Sequence, residues 1–459
     1  MTHSLTICPE DYALLTDLYE LTMAACYVGE GLESRRASFE LFVRSLPDEF
    51  GYLIAMGLEQ ALDYLEKFRF YPEQIEALKA TGMFDDVSDR FWATLAEARF
   101  TGDVWAVREG TAVFANEPLL RVEAPFWQAQ VVETYLLNTL NYQTLIATRA
   151  ARLRDVAGAD AKLLEFGTRR AFSPQGSIWA ARAAIAGGLN STSNVLAAVQ
   201  LGQKPSGTMA HSLVMALSAL RGNEDAAFTA FHRYFPGAAL LIDTYDTLDA
   251  AKRLAEKAET GEMQVDAVRL DSGDLAALSK QVRSLLPNTT IFASGDLDER
   301  EIARLRDANA EIDGYGIGTK LVTGKPVNGV YKLVEIDDIP TMKASSSKVT
   351  YPGRKQIFRR VDSYGQLEGD RLGLITEAPE NTEQPIMHLV FKQGERVYPT
   401  EELTAIAQRT ASSVASLPKS VRDIRSPQPL MPNISSELEE LTKRTQQKID
   451  TTYTEQNYA

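Results

Sequence analysis

Val265-Asp266-Ala267-Val268-Arg269-Leu270-Asp271-Ser272-Gly273-Asp274 is a short apolar run that breaks into a polar, glycine-bearing turn. Three neighbouring stretches repeat the design: residues 238–242 run into Asp243-Thr244, 291–293 into Ser294-Gly295-Asp296, and 312–317 into Gly318-Thr319. Helix-like stretches at 248–257, 275–286 and 298–309 separate them, so the turns recur about every 25 residues, the rhythm of a parallel strand followed by a crossover helix. Strands that all end in small, polar or anionic residues place those residues on one rim. In barrels and open parallel sheets that rim holds the active site. The pattern predicts an α/β enzyme.

A chain of 459 residues exceeds what a single core usually fills, which predicts at least two domains. A net charge of −14 argues against nucleic acid or an anionic membrane as a bulk partner, while leaving room for local cationic sites that take small anions. No basic-then-apolar leader and no membrane-length apolar window is present, so a cytoplasmic enzyme is expected. Cys8 and Cys26 lack metal-ligand spacing, and His3, His211, His232 and His388 are scattered. A required metal would therefore be a hard, oxygen-liganded ion such as Mg²⁺.

Outside the repeated units, helical spacing predicts a first helix over 11–27, a second over 57–67 and a long buried helix over 130–156. Residues 38–44, 330–336 and 356–361 read as strands, residues 102–125 as short β runs, and Ser345-Ser346-Ser347 as loop punctuation. The tail beyond 401 reads as two charged helices joined by a proline-bearing linker. The expected division is an N-terminal α/β domain over 1–135, an α/β barrel over 136–330 carrying the site, and a β segment over 331–459 that returns to the first domain and ends in a helical tail.

Four groups of residues are suited to chemistry. His211 follows the turn Ser206-Gly207-Thr208-Met209-Ala210 and precedes an apolar helix, where the positive end of the helix dipole favours a phosphate; a plain hydrogen bond near a helix cap explains the same placement. Asp271, Ser272, Gly273 and Asp274 could ligate Mg²⁺ or hold sugar hydroxyls, with Arg269 on the same strand face; alternatively Asp271 caps the next helix and Arg269 neutralises it. Gly295 and Gly318 let backbone approach a ligand closely, and the Thr319 hydroxyl could join their amides around a phosphate. Phe166, with Arg169 and Arg170, suits a flat anionic ring that stacks while a guanidinium takes its acid group. Tyr19 on the first helix reads as a core aromatic.

The stretches Leu15–Met23 (LTDLYELTM), Phe39–Phe42, Glu165–Arg170 (EFGTRR), Gly207–Ser212 (GTMAHS), Arg269–Asp274 (RLDSGD) and Gly316–Thr319 resemble, in order, the motifs of the nicotinate phosphoribosyltransferase family. The resemblance implies an irregular α/β (TIM-like) barrel with a second α/β domain formed by both chain ends, the type II phosphoribosyltransferase architecture. It implies a homodimer with active sites at the interface. It also implies synthesis of nicotinate mononucleotide and pyrophosphate from nicotinate and phosphoribosyl pyrophosphate, in NAD salvage, coupled to ATP hydrolysis and served by Mg²⁺. The family's phosphohistidine falls on His211, its nicotinate contacts on Tyr19, Thr208 and Arg269, and a phosphoribosyl contact on Thr319. By the same likeness Phe166 stacks on the pyridine ring and Tyr19 reaches in from a neighbouring subunit. One departure is Asn190, where the family commonly has an aspartate. The competing expectations are a phosphoribosyltransferase acting on nicotinamide or quinolinate, and a non-catalytic phosphosugar or nucleotide sensor.

Overall fold

The computed structural model describes residues 5–345 and 348–458; His3, Ser346 and Ser347 lie outside the described residues. The chain divides into two compact units, one of residues 1–145, 326–402 and 415–459, the other of residues 146–325 with 403–414.

The second unit contains the repeated strand-and-turn stretches. Its strands are β1 (Lys162–Glu165), β2 (Ser191–Thr192), β3 (Leu240–Leu241), β4 (Ala267–Leu270), β5 (Thr290–Ser294) and β6 (Gly314–Ile317). They form one six-stranded sheet in the order β2-β1-β6-β5-β4-β3, with every pair parallel. The register sets Glu165 beside Thr192 and Ile317, Ser294 beside Gly316, and Ala293 beside Leu270, so the carboxyl ends share a rim. Among the described residues no ladder joins the edge strands β2 and β3, so the expected α/β arrangement is not closed by hydrogen bonds. β3 is shorter than the 238–242 run because the Ala239 carbonyl accepts from the Thr208 hydroxyl and the Ala238 amide donates back to Phe235.

The turns also start the helices. Asp246, Asp274 and Asp298 each accept backbone N–H bonds as N-caps of Thr247–Glu259, Leu275–Leu285 and Glu299–Asp307, each cap stabilising its helix by about 1 kcal/mol. The cap in the Asp271–Asp274 turn is thus Asp274, which leaves the Asp271 carboxylate available for other work.

The first unit is built on a seven-stranded sheet in which Arg36–Val43 lies between Gly329–Ile336 and Pro118–Pro125, antiparallel to both. Its buried aromatics stack in pairs, Tyr64 on Tyr135 at 4.0 Å and Phe39 on Tyr331 at 4.9 Å between centroids. The helix expected over 11–27 is two pieces, a 3-10 turn Pro9–Leu14 and Leu18–Gly29, because Leu15 leaves helical geometry at ψ 67°. The long helix is likewise Phe126–Val131 followed by Glu133–Ala157.

One ion pair lies deep in this unit. Lys355 Nζ is 2.8 Å from Glu40 Oε2, and the Lys355 amide donates to Glu40 Oε1 at 2.9 Å, with both residues buried. Burial lowers the lysine pKa against the pull of Glu40. Removing one member leaves the other charge buried and uncompensated, so Glu40→Ala is expected to cost about 3–5 kcal/mol, read as a lower midpoint in urea. A midpoint equal to the wild type's would mean that the pair carries no stability.

Candidate active site

The turn after β4 is held by the turns on either side of it. Arg269, half-buried on β4, donates from Nη2 to Asp271 Oδ1 at 2.6 Å and from Nε to Ser294 Oγ at 2.7 Å. Ser294, the last residue of β5, donates its own proton to the same Asp271 oxygen. On the other side, Asp243 Oδ2 accepts from the Asp271 amide at 2.9 Å and from the Ser272 hydroxyl at 2.6 Å. Three successive strand ends thereby fix one residue, Arg269 and Ser294 holding the Asp271 carboxylate and Asp243 its backbone amide. Burial alone would raise the Asp271 pKa; the Ser294 hydroxyl and Arg269 guanidinium outweigh it and hold the carboxyl below its ordinary value of 3.8.

His211 is the first residue of the helix His211–Arg221, whose N-cap position is Ala210, so its ring stands at the helix start as the turn predicts. Nδ1 lies 3.0 Å from the Thr244 hydroxyl and Nε2 lies 3.9 Å from Asp271 Oδ2. The imidazole is therefore oriented by the turn after β3 and faces the locked carboxylate. At 41% exposure its side chain remains reachable by a ligand.

Two cavities adjoin this group. One of about 880 Å³ is lined by Phe166, Thr208, Arg269, Ser294 and Gly316 among others, and one of about 590 Å³ by Asp271, Ser272, Gly273, Gly295 and Arg300 among others. The Arg269 guanidinium stands 5.5 Å from the centre of the Phe166 ring, so an aromatic face and a cation share the larger cavity. Gly295 sits at φ +95°, where a Cβ would lie 2.3 Å from the Asp271 carbonyl, so only glycine lets the two turns meet.

The structure brings together Phe166, Thr208, His211, Arg269, Asp271, Ser272, Gly273 and Gly295. Gly318 and Thr319 follow β6 on the same rim but line neither cavity, and Arg169 is exposed and lines neither. Tyr19 belongs to the first unit and is 44% exposed, so it is not the core aromatic expected from its helix. Asn190 spends its side-chain oxygen on the fold, accepting from the Leu163 amide and from Arg154, each at 2.7 Å. Asp243, Thr244 and Ser294 stand in the apolar-to-polar pattern of the rim, yet their pairing with Asp271 and His211 is visible only in three dimensions. Among the described residues no cluster of three or more His, Cys, Asp or Glu side chains is arranged to hold a metal, and no helix is long and apolar enough to cross a membrane.

A parallel α/β sheet whose rim pairs an aromatic wall with an arginine, beside an acid and a histidine, has the layout of an α/β enzyme's site. Comparison with known proteins makes the class specific. The chain matches the nicotinate phosphoribosyltransferase N-terminal domain over residues 14–141, the nicotinate phosphoribosyltransferase family over 161–350 and the family's C-terminal domain over 380–442. It is 44% identical to the Mycobacterium tuberculosis nicotinate phosphoribosyltransferase pncB2 over 84% of this chain and 83% of that protein, and 38% identical to the Bacillus subtilis nicotinate phosphoribosyltransferase over 91% and 92%. The human nicotinic acid phosphoribosyltransferase crystal structure superposes with a TM-score of 0.83 at 29% identity, covering 94% of this chain and 99% of that one. The chain belongs to the nicotinate phosphoribosyltransferase family, and its fold is the type II phosphoribosyltransferase architecture.

Because the folded pKa of Asp271 is depressed, its stabilising contribution is complete above the ordinary value of 3.8 and drains away as pH falls through the lower folded value. The wild type is expected to melt above Asp271→Asn at pH 7, with the gap closing below about pH 4. Parallel melting curves from pH 7 to pH 3 would contradict the pairing described here.

Proposed function

We propose that the protein joins nicotinate to phosphoribosyl pyrophosphate, releasing nicotinate mononucleotide and pyrophosphate, and that ATP hydrolysis drives this through a phosphohistidine at His211. The carrying observation is the Arg269 guanidinium, fixed by Asp271 and Ser294 in a cavity walled by Phe166. A pyridine ring against Phe166 would direct its carboxylate to Arg269, with Thr208 on the same wall. The ring nitrogen is already nucleophilic, so bond formation at C1 of the ribose needs no strong base. It needs the leaving pyrophosphate to be stabilised and the partners aligned. In this reading Ser272, Gly273 and Gly295 hold the phosphates of the sugar from the smaller cavity, and Gly318 and Thr319 complete that grip from the neighbouring strand end.

Asp271 and the phosphate oxygens offer the hard donors that Mg²⁺ takes, and the ion would supply charge neutralisation on the pyrophosphate. The buried, unpartnered Oδ1 of Asp243, next to the Asp271 amide, is a further oxygen of that kind. A phosphoryl group on His211 would put negative charge beside an ionised Asp271, a repulsion relieved when the group is lost; this ties ATP hydrolysis to the turn that Arg269 shares. Tyr19 would complete the nicotinate site from the partner subunit of a homodimer, and Arg169 would face the same substrate. Quinolinate would need a second cation beside Arg269, and nicotinamide would leave Arg269 without an anion.

The test is incubation with phosphoribosyl pyrophosphate, Mg²⁺ and nicotinate, nicotinamide or quinolinate, with and without ATP, followed by separation of the nucleotides. Nicotinate is expected to yield product, with ATP raising the yield, and His211→Ala is expected to keep slow synthesis while losing the ATP effect. ATP stimulation that survives in His211→Ala would refute the histidine's role. A binding protein without turnover would give no product from any of the three bases.

A further inference from the structure

The Phe166 ring stands against a bare stretch of backbone. A Cβ on Gly316 of β6 would lie 2.5 Å from Phe166 Cε2 and 2.6 Å from Cδ2, closer than any real contact allows, so the absence of a side chain there is what lets the ring lie where it does. The backbone of Phe166 is fixed as well. The Phe166 amide donates to the Ile317 carbonyl at 2.7 Å, which ties the turn after β1 to the end of β6.

Glu165, immediately before the ring, is 1% exposed and spends both carboxyl oxygens locally. Oε1 accepts from the Gly167 amide and Oε2 from the Thr192 hydroxyl, so one buried acid clasps the residue after Phe166 to the end of β2. Thr192 in turn accepts from the Asn194 amide at 2.9 Å, and Asn194 caps the following helix. Gly167 is confined too, since a Cβ there would meet Val322 at 2.4 Å. No ligand contact is needed to explain the Gly316 and Glu165 arrangement, yet all of it converges on the orientation of one aromatic ring.

We propose that Glu165 and Gly316 are positioning residues that hold the Phe166 ring as a fixed wall of the larger cavity, so that the face offered to the base keeps one orientation. The proposal rests on the reading of Phe166 as the face on which nicotinate stacks. Glu165 acts through the Phe166–Gly167 turn and Gly316 through direct contact with the ring. A wall fixed in advance holds the base equally in the ground and transition states, so loosening it raises KM and leaves kcat in place.

Double-mutant cycles with Phe166→Ala test this. Gly316→Ala and Glu165→Gln are each expected to raise KM for nicotinate about tenfold, with kcat and the KM for phosphoribosyl pyrophosphate within about twofold; in the Phe166→Ala background each should add less than about twofold. Equal factors in both backgrounds, or no change in nicotinate KM from either single variant, overturn the proposal. Melting temperatures of the same proteins form a second cycle that needs no substrate: the destabilisation by Gly316→Ala should be relieved by Phe166→Ala. A Gly316→Ala protein too unstable to assay but rescued by Phe166→Ala supports the contact, whereas one not rescued refutes it. Coupled melting without any nicotinate turnover in the wild type would remove the proposed function and leave the ring contact standing; uncoupled melting with normal turnover would do the reverse.

Discussion

The pair Arg269–Asp271 is the constraint around which the rim is organised. Both charges stand at the end of one strand, where side chains two residues apart share a face, and a 2.6 Å bond commits each to the other. Left alone, such a pair would be a modest, partly screened contact. Here the Ser294 hydroxyl closes the pair from one neighbouring strand and Asp243 fixes the Asp271 amide from the other, so the pair becomes a rigid part of the scaffold. A guanidinium so fixed commits two of its five donor hydrogens to Ser294 and Asp271 and is held in one orientation.

That arrangement divides labour among acids that look interchangeable in the sequence. In the turn 271–274, Asp274 serves the helix that follows and Asp271 serves the site. In the turn after β3, Asp243 serves the site and Asp246 caps the helix. The same split recurs after β5, where Ser294 faces Asp271 and Asp298 starts the next helix. Each of these three crossovers therefore begins with one polar residue tied into the Asp271 network and, three or four positions on, one that caps the helix, so charge gathers on the rim without leaving these helix starts unsatisfied.

The repeated strand-and-turn units were legible because a buried parallel strand demands an apolar run and its exit demands a polar turn, and both demands are written in consecutive residues. Arg269 and Asp271 stand in that same pattern, whereas His211 drew notice through the glycine-bearing turn ahead of its apolar helix. β2 was not, since Ser191–Thr192 is a two-residue polar strand paired with Leu164 and Glu165 and has no apolar pattern of its own. Nor was the choice between the two roles open to Asp271, because it depends on Ser294, 23 residues away, and on which acid of the turn reaches the helix amides. Thr244 stands 33 residues from the imidazole it orients. The break at Leu15 was missed because apolar periodicity continues through it while the backbone does not.

The strand Arg36–Val43 takes one neighbour from Pro118–Pro125 and the other from Gly329–Ile336, and its Glu40 meets Lys355, 315 residues further on. A ribosome delivers these partners far apart in time. The unit holding residues 146–325 is almost wholly synthesised while the central strand of the first unit still has an open edge and a buried-to-be carboxylate without its cation. The nascent chain therefore carries an unfinished sheet through the whole of that interval, with one edge of its central strand left open until residues 329–336 arrive.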